Sequence, residues 1–216
     1  MSKSADLQRI EESGVVAVLR GADADTIIEV AEALKNGGVT AIELTADTPG
    51  VTDMLKDVTG SFDSNETIFG VGTVLDAETA RAVTLAGAEF VVSPSFHEDV
   101  VDLCNRYGTV VAPGAMTPTE VITAYEAGAD VVKVFPASTL GPGHISSIKG
   151  PLGQVPLMTT GGVSLANVGE FINAGASTVG VGGSLIDYDA IDRGDFEAIT
   201  ETAQQFSDAV EAARSE

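Results

Sequence analysis

Short apolar runs rich in β-branched residues alternate with longer amphipathic stretches, and this alternation limits the possible folds more than any other feature of the sequence. Eight runs are predicted to be buried strands, at residues 15–19, 41–45, 67–71, 90–93, 110–112, 131–135, 157–159 and 178–181. Helices are predicted at residues 25–36, 49–58, 77–86, 98–107, 118–127, 145–149, 166–174 and 196–214. Because strands separated by helices pair in parallel, the pattern predicts an α/β protein.

Glycine-containing joins separate four of these helices from the next strand: Asn36-Gly37-Gly38, Ala86-Gly87-Ala88, Ala127-Gly128-Ala129 and Ala174-Gly175-Ala176. Glycine adopts the left-handed conformation that ends the last turn of a helix. The stops recur about 40 to 50 residues apart, which indicates a repeated βα unit. Eight near-equal units without a dinucleotide-binding fingerprint favour a single-domain (β/α)8 TIM barrel over residues 1–216, with an open doubly wound sheet as the alternative.

The charge balance limits the possible partners. The chain has 32 acidic residues against 11 Lys and Arg, a net charge of −21, and the acids are scattered along the sequence. Such a surface excludes nucleic acid and anionic lipid as partners, because both require basic residues. It also repels itself, and salt at roughly 1 M relieves this by shortening the Debye length to about 3 Å. We therefore expect a halophilic cytoplasmic protein, with an ordinary acidic protein as the alternative.

Cysteine and histidine usage argues against disulfides and metals. Cys104 is the single cysteine, so neither an intramolecular disulfide nor a cysteine zinc site is expected. His97 and His144 are far apart and lack the spacing of metal ligands. No apolar run approaches the roughly 20 residues that span a bilayer, so no membrane association is expected.

Lys133 lies in the middle of the apolar run Val131-Val132-Lys133-Val134-Phe135. Side chains alternate between the two faces of a strand, so Val132 and Val134 share one face and Lys133 takes the other. We expect Lys133 to face the barrel lumen, because an ammonium group facing the helices would enter an apolar layer. Partial desolvation there would lower its pKa and leave neutral amine to attack a carbonyl. The alternative is a lysine that reaches the barrel mouth and only binds an anion.

The run Ala41-Ile42-Glu43-Leu44-Thr45 has the same pattern with an acid at its centre. Strand parity places Glu43 in the lumen with Lys133. A carboxylate near an amine can move protons during carbinolamine formation, dehydration and C–C cleavage. The alternative is a structural ion pair in the barrel core.

Two glycine pairs follow the last two predicted strands, in Thr159-Thr160-Gly161-Gly162-Val163-Ser164 and Gly180-Val181-Gly182-Gly183-Ser184. Loops after strands seven and eight of a barrel commonly bind phosphate through backbone N–H groups, so these pairs predict a phosphate site, with simple tight turns as the alternative. Other strand-end candidates are Arg20, suited to a carboxylate or phosphate, Thr73, suited to a carboxylate, and Pro94.

Six segments occur together: Gly37-Gly38-Val39 through Ile42-Glu43-Leu44-Thr45, Gly70-Val71-Gly72-Thr73-Val74-Leu75, Phe90-Val91-Val92-Ser93-Pro94, Lys133-Val134-Phe135-Pro136-Ala137, Thr160-Gly161-Gly162-Val163-Ser164 and Gly182-Gly183-Ser184. In this order and spacing they resemble the bacterial 2-keto-3-deoxy-6-phosphogluconate (KDPG) and 4-hydroxy-2-oxoglutarate aldolases. The resemblance covers residues 10–206. It implies an enzyme that needs neither a metal nor a bound cofactor and that forms a covalent imine intermediate on Lys133.

The resemblance also implies a role for each matching position. It assigns the Schiff-base lysine to Lys133 and the general acid/base to Glu43. It assigns pocket residues to Thr73, Pro94, Phe135 and Thr160, and phosphate-binding residues to Gly161, Gly162, Gly182, Gly183 and Ser184. The implied reaction cleaves KDPG, a phosphorylated keto acid, to pyruvate and glyceraldehyde 3-phosphate in the Entner-Doudoroff route, and family members are typically homotrimers.

Other substrates and other classes of protein stay open. The galactonate epimer and 4-hydroxy-2-oxoglutarate are alternative substrates for the same chemistry. A phosphate-binding barrel isomerase or epimerase would share the glycine pairs but need no imine, and a sugar-phosphate sensor would bind without turnover.

Asp47 departs from the family pattern, because many bacterial members have an arginine at this position. A carboxylate cannot replace an arginine fork at an anionic substrate. Arg20, which matches an arginine at the end of the first strand in family members, is expected to supply the missing cation. The departure concerns the identity of the substrate more than the type of reaction.

Overall fold

A computed structural model of the chain describes residues 2–63 and 65–215, and within these residues nine strands form one parallel sheet in the order β5-β4-β3-β2-β1-β9-β8-β7-β6. The strands are β1 (Val15–Leu19), β2 (Ala41–Thr45), β3 (Ile68–Gly72), β4 (Phe90–Val92), β5 (Val110–Ala112), β6 (Gly114–Ala115), β7 (Val132–Val134), β8 (Leu157–Thr160) and β9 (Thr178–Val181). The helices are α1 (Lys3–Ser13), α2 (Ile27–Asn36), α3 (Val51–Ser61), α4 (Ala77–Leu85), α5 (Glu98–Tyr107), α6 (Pro118–Glu126), α7 (Pro142–Lys149), α8 (Val168–Asn173), α9 (Tyr188–Asp192) and α10 (Phe196–Arg214), with a 3-10 turn at Ala137–Thr139.

The two ends of this sheet, β5 and β6, are consecutive parts of one segment interrupted at Pro113. β5 pairs with β4, and β6 pairs with β7. Proline has no N–H to donate, which splits the segment into two short strands. The Pro113 carbonyl still accepts the backbone N–H of Lys133 at 2.9 Å, and the Val111 carbonyl accepts that of Val131 at 3.4 Å. The segment therefore joins both ends of the sheet and closes it, so the predicted (β/α)8 barrel is confirmed.

The helices α1 and α9 and the separate strand β6 were not predicted. The helices and strands that were predicted have boundaries within three residues of those observed. The N-terminal helix α1 was missed because Leu7 and Ile10 are its only large apolar residues. Ile10 is 1% exposed and packs in the inner core cluster, with Leu7 against that cluster. The helix thus covers the N-terminal end of the barrel.

The joins between helices and strands follow the prediction at Gly87, Gly128 and Gly175, which have positive φ. At the first join Gly38 takes the left-handed conformation, while Gly37 has a φ of −84°. A Cβ on Gly37 would lie 2.5 Å from the Thr200 carbonyl oxygen, so this glycine is required by close approach to α10.

Two apolar layers surround the strands. The outer layer between sheet and helices includes Ile42, Leu44, Val132 and Val134, all buried. The inner layer fills the N-terminal half of the lumen and consists of Ile10, Val16, Ala41, Ile68, Phe90, Val92, Val110, Ala112, Val131 and Met158. Because this layer closes the lumen from below, polar side chains farther along the strands face the C-terminal mouth.

Candidate active site

Lys133 is the middle residue of β7 and is only 6% exposed. Its neighbours Val132 and Val134 belong to the outer apolar layer, so the lysine points into the lumen, as strand parity predicts. Its Nζ lies 4.9 Å from the centroid of the Phe135 ring, which covers the ammonium group on one side. The amine is thus held in a largely desolvated position at the C-terminal end of the barrel.

Glu43, on β2, is 2% exposed and also faces the lumen. Burial raises the pKa of Glu43 above its ordinary value of 4.5, while the positive charges of Lys133 and Arg20 oppose that shift. Within the described part of the chain, no ion pair joins Glu43 to either cation. The carboxylate and the amine therefore share the lumen without the direct contact that a structural ion pair would require.

Both residues line one cavity of about 260 Å³ at the C-terminal ends of the strands. Its wall contains all twelve residues named from the sequence: Arg20, Glu43, Thr73, Pro94, Lys133, Phe135, Thr160, Gly161, Gly162, Gly182, Gly183 and Ser184. It also contains Val18, Val163 and Gly180, which sequence reasoning did not single out. Strand parity could have identified Val18 and Gly180, because each lies two residues before a predicted site residue, Arg20 or Gly182, that directly follows its strand.

The side of this cavity where the sequence predicts phosphate binding is built from tightly folded glycines. Gly161 and Gly162 have φ values of 93° and 78°, and a Cβ on Gly162 would lie 2.3 Å from the Cβ of Ser138. The Asn167 side chain fixes this loop, because it donates to the Gly162 carbonyl at 3.0 Å and accepts the Ser164 N–H at 2.9 Å. Neither glycine can be replaced without moving the loop, so these are constrained positions at the cavity edge.

The second glycine pair follows β9. The Gly182 carbonyl accepts the N–H groups of Leu185 and Ile186 at 2.8 and 3.0 Å, which forms a tight turn after the strand. Gly183 and Ser184 are exposed at the edge of the cavity, and a Cβ on Gly183 would meet nothing within 4 Å. This turn thus places small residues and an exposed hydroxyl beside the first pair.

Thr160 ends β8 beside the first glycine pair and is 8% exposed. Its Oγ1 is buried and has no hydrogen-bond partner among the residues that the structure describes. Buried hydroxyls almost always have a partner, so this one is an unsatisfied polar group next to the cavity that Thr160 lines.

Arg20 at the mouth is not a free cation. Its Nη1 lies 2.5 Å from Oδ2 of Asp47, and its Nη2 donates to Oγ1 of Thr73 at 3.2 Å. Thr73 has a φ of 59°, an uncommon conformation for a β-branched residue. The pKa of Asp47 is lowered, first by a hydrogen-bonding interaction with the Thr45 side chain and further by Arg20. Asp47 therefore compensates the cation that was expected to replace the missing arginine.

The structure also bears on the other sequence-based expectations. His97 contacts the Ser95 hydroxyl at 2.8 Å and His144 contacts the Met116 carbonyl at 2.7 Å. Residues 2–63 and 65–215 contain no group of three or more side chains able to hold a metal ion. None of the helices in these two ranges is both long and apolar enough to cross a membrane.

A larger cavity of about 460 Å³ lies between the loop after β1 and α9. Its wall includes Asp23, Asp25 and Asp192 but neither lysine nor arginine. Carboxylates at the rim would repel an anionic substrate, so the smaller cavity with Lys133 is the candidate active site.

The chain is a closed parallel barrel, with a desolvated lysine and a glutamate in a cavity at the C-terminal ends of its strands. This is the arrangement of a TIM-barrel enzyme. The family described as KDPG and KHG aldolase matches residues 7–202. The chain therefore belongs to the KDPG and KHG aldolase family. It is an aldolase, a lyase that breaks a carbon–carbon bond, and the resemblance read from the sequence is confirmed.

Three relatives illustrate the similarity. The chain is 32% identical to the 2-dehydro-3-deoxy-6-phosphogalactonate aldolase of Escherichia coli K12 over 93% of this chain and 94% of that protein. It is 35% identical to the 2-dehydro-3-deoxy-phosphogluconate aldolase of Treponema pallidum, over 92% and 93% respectively. The solved KDPG aldolase of Legionella pneumophila, which holds pyruvate as a covalent carbinolamine, is 26% identical with a TM-score of 0.85 over 94% of this chain and 97% of that one.

Proposed function

We propose that this aldolase cleaves KDPG to pyruvate and glyceraldehyde 3-phosphate through a Schiff base on Lys133. The observation that carries the proposal is that Lys133 and Glu43 are both nearly excluded from solvent yet line one cavity, with the two glycine pairs on the same wall. The relatives named for KDPG and for its galactonate epimer support this class of substrate.

The reaction begins when the Lys133 amine attacks C2 of the substrate and forms a carbinolamine. Glu43 supplies and removes protons while water leaves, which gives the protonated imine. Glu43, directly or through a water molecule, then takes the C4 hydroxyl proton as the C3–C4 bond breaks. The bonding electrons pass into the imine, so an aldehyde is released and an enamine remains. Protonation at C3 and hydrolysis return pyruvate and the free lysine.

The remaining cavity residues hold the two ends of the substrate. Thr73 and Thr160 line the cavity and hold the keto-acid end. Arg20, which was expected to bind a carboxylate there, is engaged by Asp47. The glycine pairs and Ser184 bind the phosphate through backbone N–H groups and the hydroxyl. Pro94 and Phe135 form apolar walls. The covalent imine takes the place of any metal or bound cofactor.

Borohydride trapping tests the nucleophile. The chain is incubated with pyruvate and borohydride, and the modified peptide is mapped by mass spectrometry. We expect the label on Lys133 and its complete loss in Lys133→Met. Lys56→Met is the control, because Lys56 is a surface lysine paired with Asp53 at 2.8 Å and should leave labelling unchanged. A label on any other residue contradicts the assignment of the nucleophile to Lys133, and the absence of any label favours a barrel isomerase.

Steady-state rates test Glu43 and the substrate. Glu43→Gln keeps the size of the side chain but removes proton transfer, so turnover should fall by roughly 10²-fold or more. An unaltered rate removes Glu43 from the mechanism. Assays of KDPG, its galactonate epimer and 4-hydroxy-2-oxoglutarate rank the three substrates, and the highest kcat/KM should be for KDPG.

We further propose that the chain assembles as a homotrimer. We also propose that it works in a salt-rich cytoplasm and belongs to the Entner-Doudoroff route. Leu85 is 69% exposed and Leu140 is 50% exposed, which supports contact with other copies. The net charge of −21 supports a salt-rich environment. Light scattering in molar KCl should give three times the chain mass of 22.0 kDa, and a monomer would contradict the assembly.

A further inference from the structure

The guanidinium group of Arg20 is fixed between two loops at the barrel mouth. Both of its terminal nitrogens are engaged, Nη1 by the Asp47 carboxylate at 2.5 Å and Nη2 by the Thr73 hydroxyl at 3.2 Å. The backbone beneath it is also held, because the Arg20 carbonyl accepts the Tyr188 hydroxyl at 2.7 Å and the Gly21 N–H donates to Thr48 Oγ1 at 3.1 Å. One N–H on each terminal nitrogen of Arg20 is therefore already engaged, which leaves the two-donor fork spanning Nη1 and Nη2 partly occupied before any anion arrives.

The charges around the cavity show how the pairing of Arg20 with Asp47 affects anion binding. Among the lining residues, Arg20 and Lys133 are cationic and Glu43 is anionic. Lys133 is committed to the imine, so Arg20 is the cation left to bind a carboxylate. Arginine binds carboxylates best through two parallel N–H donors, and Asp47 already occupies one side of this fork. The Arg20 and Asp47 side chains are 62% and 48% exposed, so the pair stands at the entrance and not in the core.

We propose that Asp47 determines specificity by occupying Arg20, so that the enzyme disfavours aldehyde partners that carry a carboxylate. The inference rests on the proposed aldol chemistry, in which pyruvate bound to Lys133 combines with an aldehyde. Glyoxylate, whose addition gives 4-hydroxy-2-oxoglutarate, carries its carboxylate directly on the reacting carbon. Glyceraldehyde 3-phosphate carries hydroxyl and phosphate groups, and the glycine pairs receive the phosphate without a guanidinium.

The test measures aldol addition of pyruvate to glyoxylate, to uncharged glyceraldehyde and to glyceraldehyde 3-phosphate. In Asp47→Asn the freed guanidinium should raise kcat/KM for glyoxylate about tenfold relative to glyceraldehyde, on the scale of one charge interaction near a protein surface. Asp53→Asn is the matched control, because it makes the same charge change at an exposed position on α3 and should leave the ratio unchanged.

The double variant Arg20→Gln with Asp47→Asn tests whether the effect passes through Arg20, and it should lose the gain for glyoxylate. A gain that persists in the double variant overturns the role of Arg20. A uniform change for all three aldehydes in Asp47→Asn overturns the specificity role, because a merely structural loss does not alter the ratio. Failure of the unaltered enzyme to turn over any of them overturns the proposed function, and this inference with it.

Discussion

A Cβ atom on Gly72 would lie 1.7 Å from Oε1 of Glu43, so these two residues share one volume in the barrel lumen. They lie on adjacent strands, where Glu43 pairs in register with Gly70 and Thr45 with Gly72. Any side chain at position 72 would push the Glu43 carboxylate away from its observed position in the lumen. Gly72 is thus a positioning residue for the carboxylate.

Gly72→Ala should therefore lower turnover by roughly 10²-fold, since small displacements of a catalytic group can cost this much. The clash is with the end of a flexible side chain, so the barrel should still fold. Steady-state kinetics and urea unfolding measure the two effects. Gly60→Ala is the control: it lies in α3 and meets nothing within 4 Å, so it should stabilise the chain by about 0.5–1 kcal/mol without changing turnover. A normal kcat in Gly72→Ala would contradict the positioning role.

Burial of Glu43 predicts a pH dependence of stability. Its pKa in the folded chain is raised above 4.5, so the folded state holds the proton more tightly than the unfolded state. The stability associated with the protonated form is complete below the unfolded pKa and is lost as pH rises through the folded pKa. Glu43→Gln avoids this loss, so its advantage in unfolding free energy over the unaltered chain should grow with pH. Urea unfolding from about pH 4 to 8 measures the difference, and a constant or shrinking gap would refute the assignment.

Cys104 should be chemically silent in the folded protein. It is fully buried on α5, and burial raises the pKa of its thiol to about 12. Because the thiolate is the reactive form, a disulfide reagent at mildly alkaline pH should not modify the native chain. One thiol per chain should react after denaturation in guanidinium. Rapid reaction of the native protein would show that α5 opens readily.

The acidic surface predicts that salt stabilises the fold. Six ion pairs are found within residues 2–63 and 65–215, so most of the 32 acidic residues have no cationic partner there. Raising KCl from about 0.1 M to molar concentration should screen their repulsion and raise Tm. Each kcal/mol gained corresponds to about 2–4 °C for a chain of this length. Equal melting temperatures in both salts, measured by circular dichroism, would refute the halophilic proposal.

Much of the candidate site was predictable because strand geometry is local. Alternation of side chains along a strand, applied to Lys133 and Glu43, is enough to place both on the lumen face. The glycine pairs were recognisable from their position after the last two strands. The helix α1 was not predicted because its sequence has little apolar periodicity, and its role depends on the open end of a barrel that other segments form.

The sequence by itself determined the alternation of strands and helices, the faces on which Lys133 and Glu43 lie, and the family. Only the tertiary structure decided that Asp47 contacts Arg20 and that the segment around Pro113 closes the sheet. It also decided that the Glu43 carboxylate fills the space that a side chain at Gly72 would take. These contacts join residues far apart in the chain, with Arg20 and Asp47 separated by 27 positions. Local propensity and periodicity carry no information about such distances, because they arise only when the barrel brings the ends of different strands together.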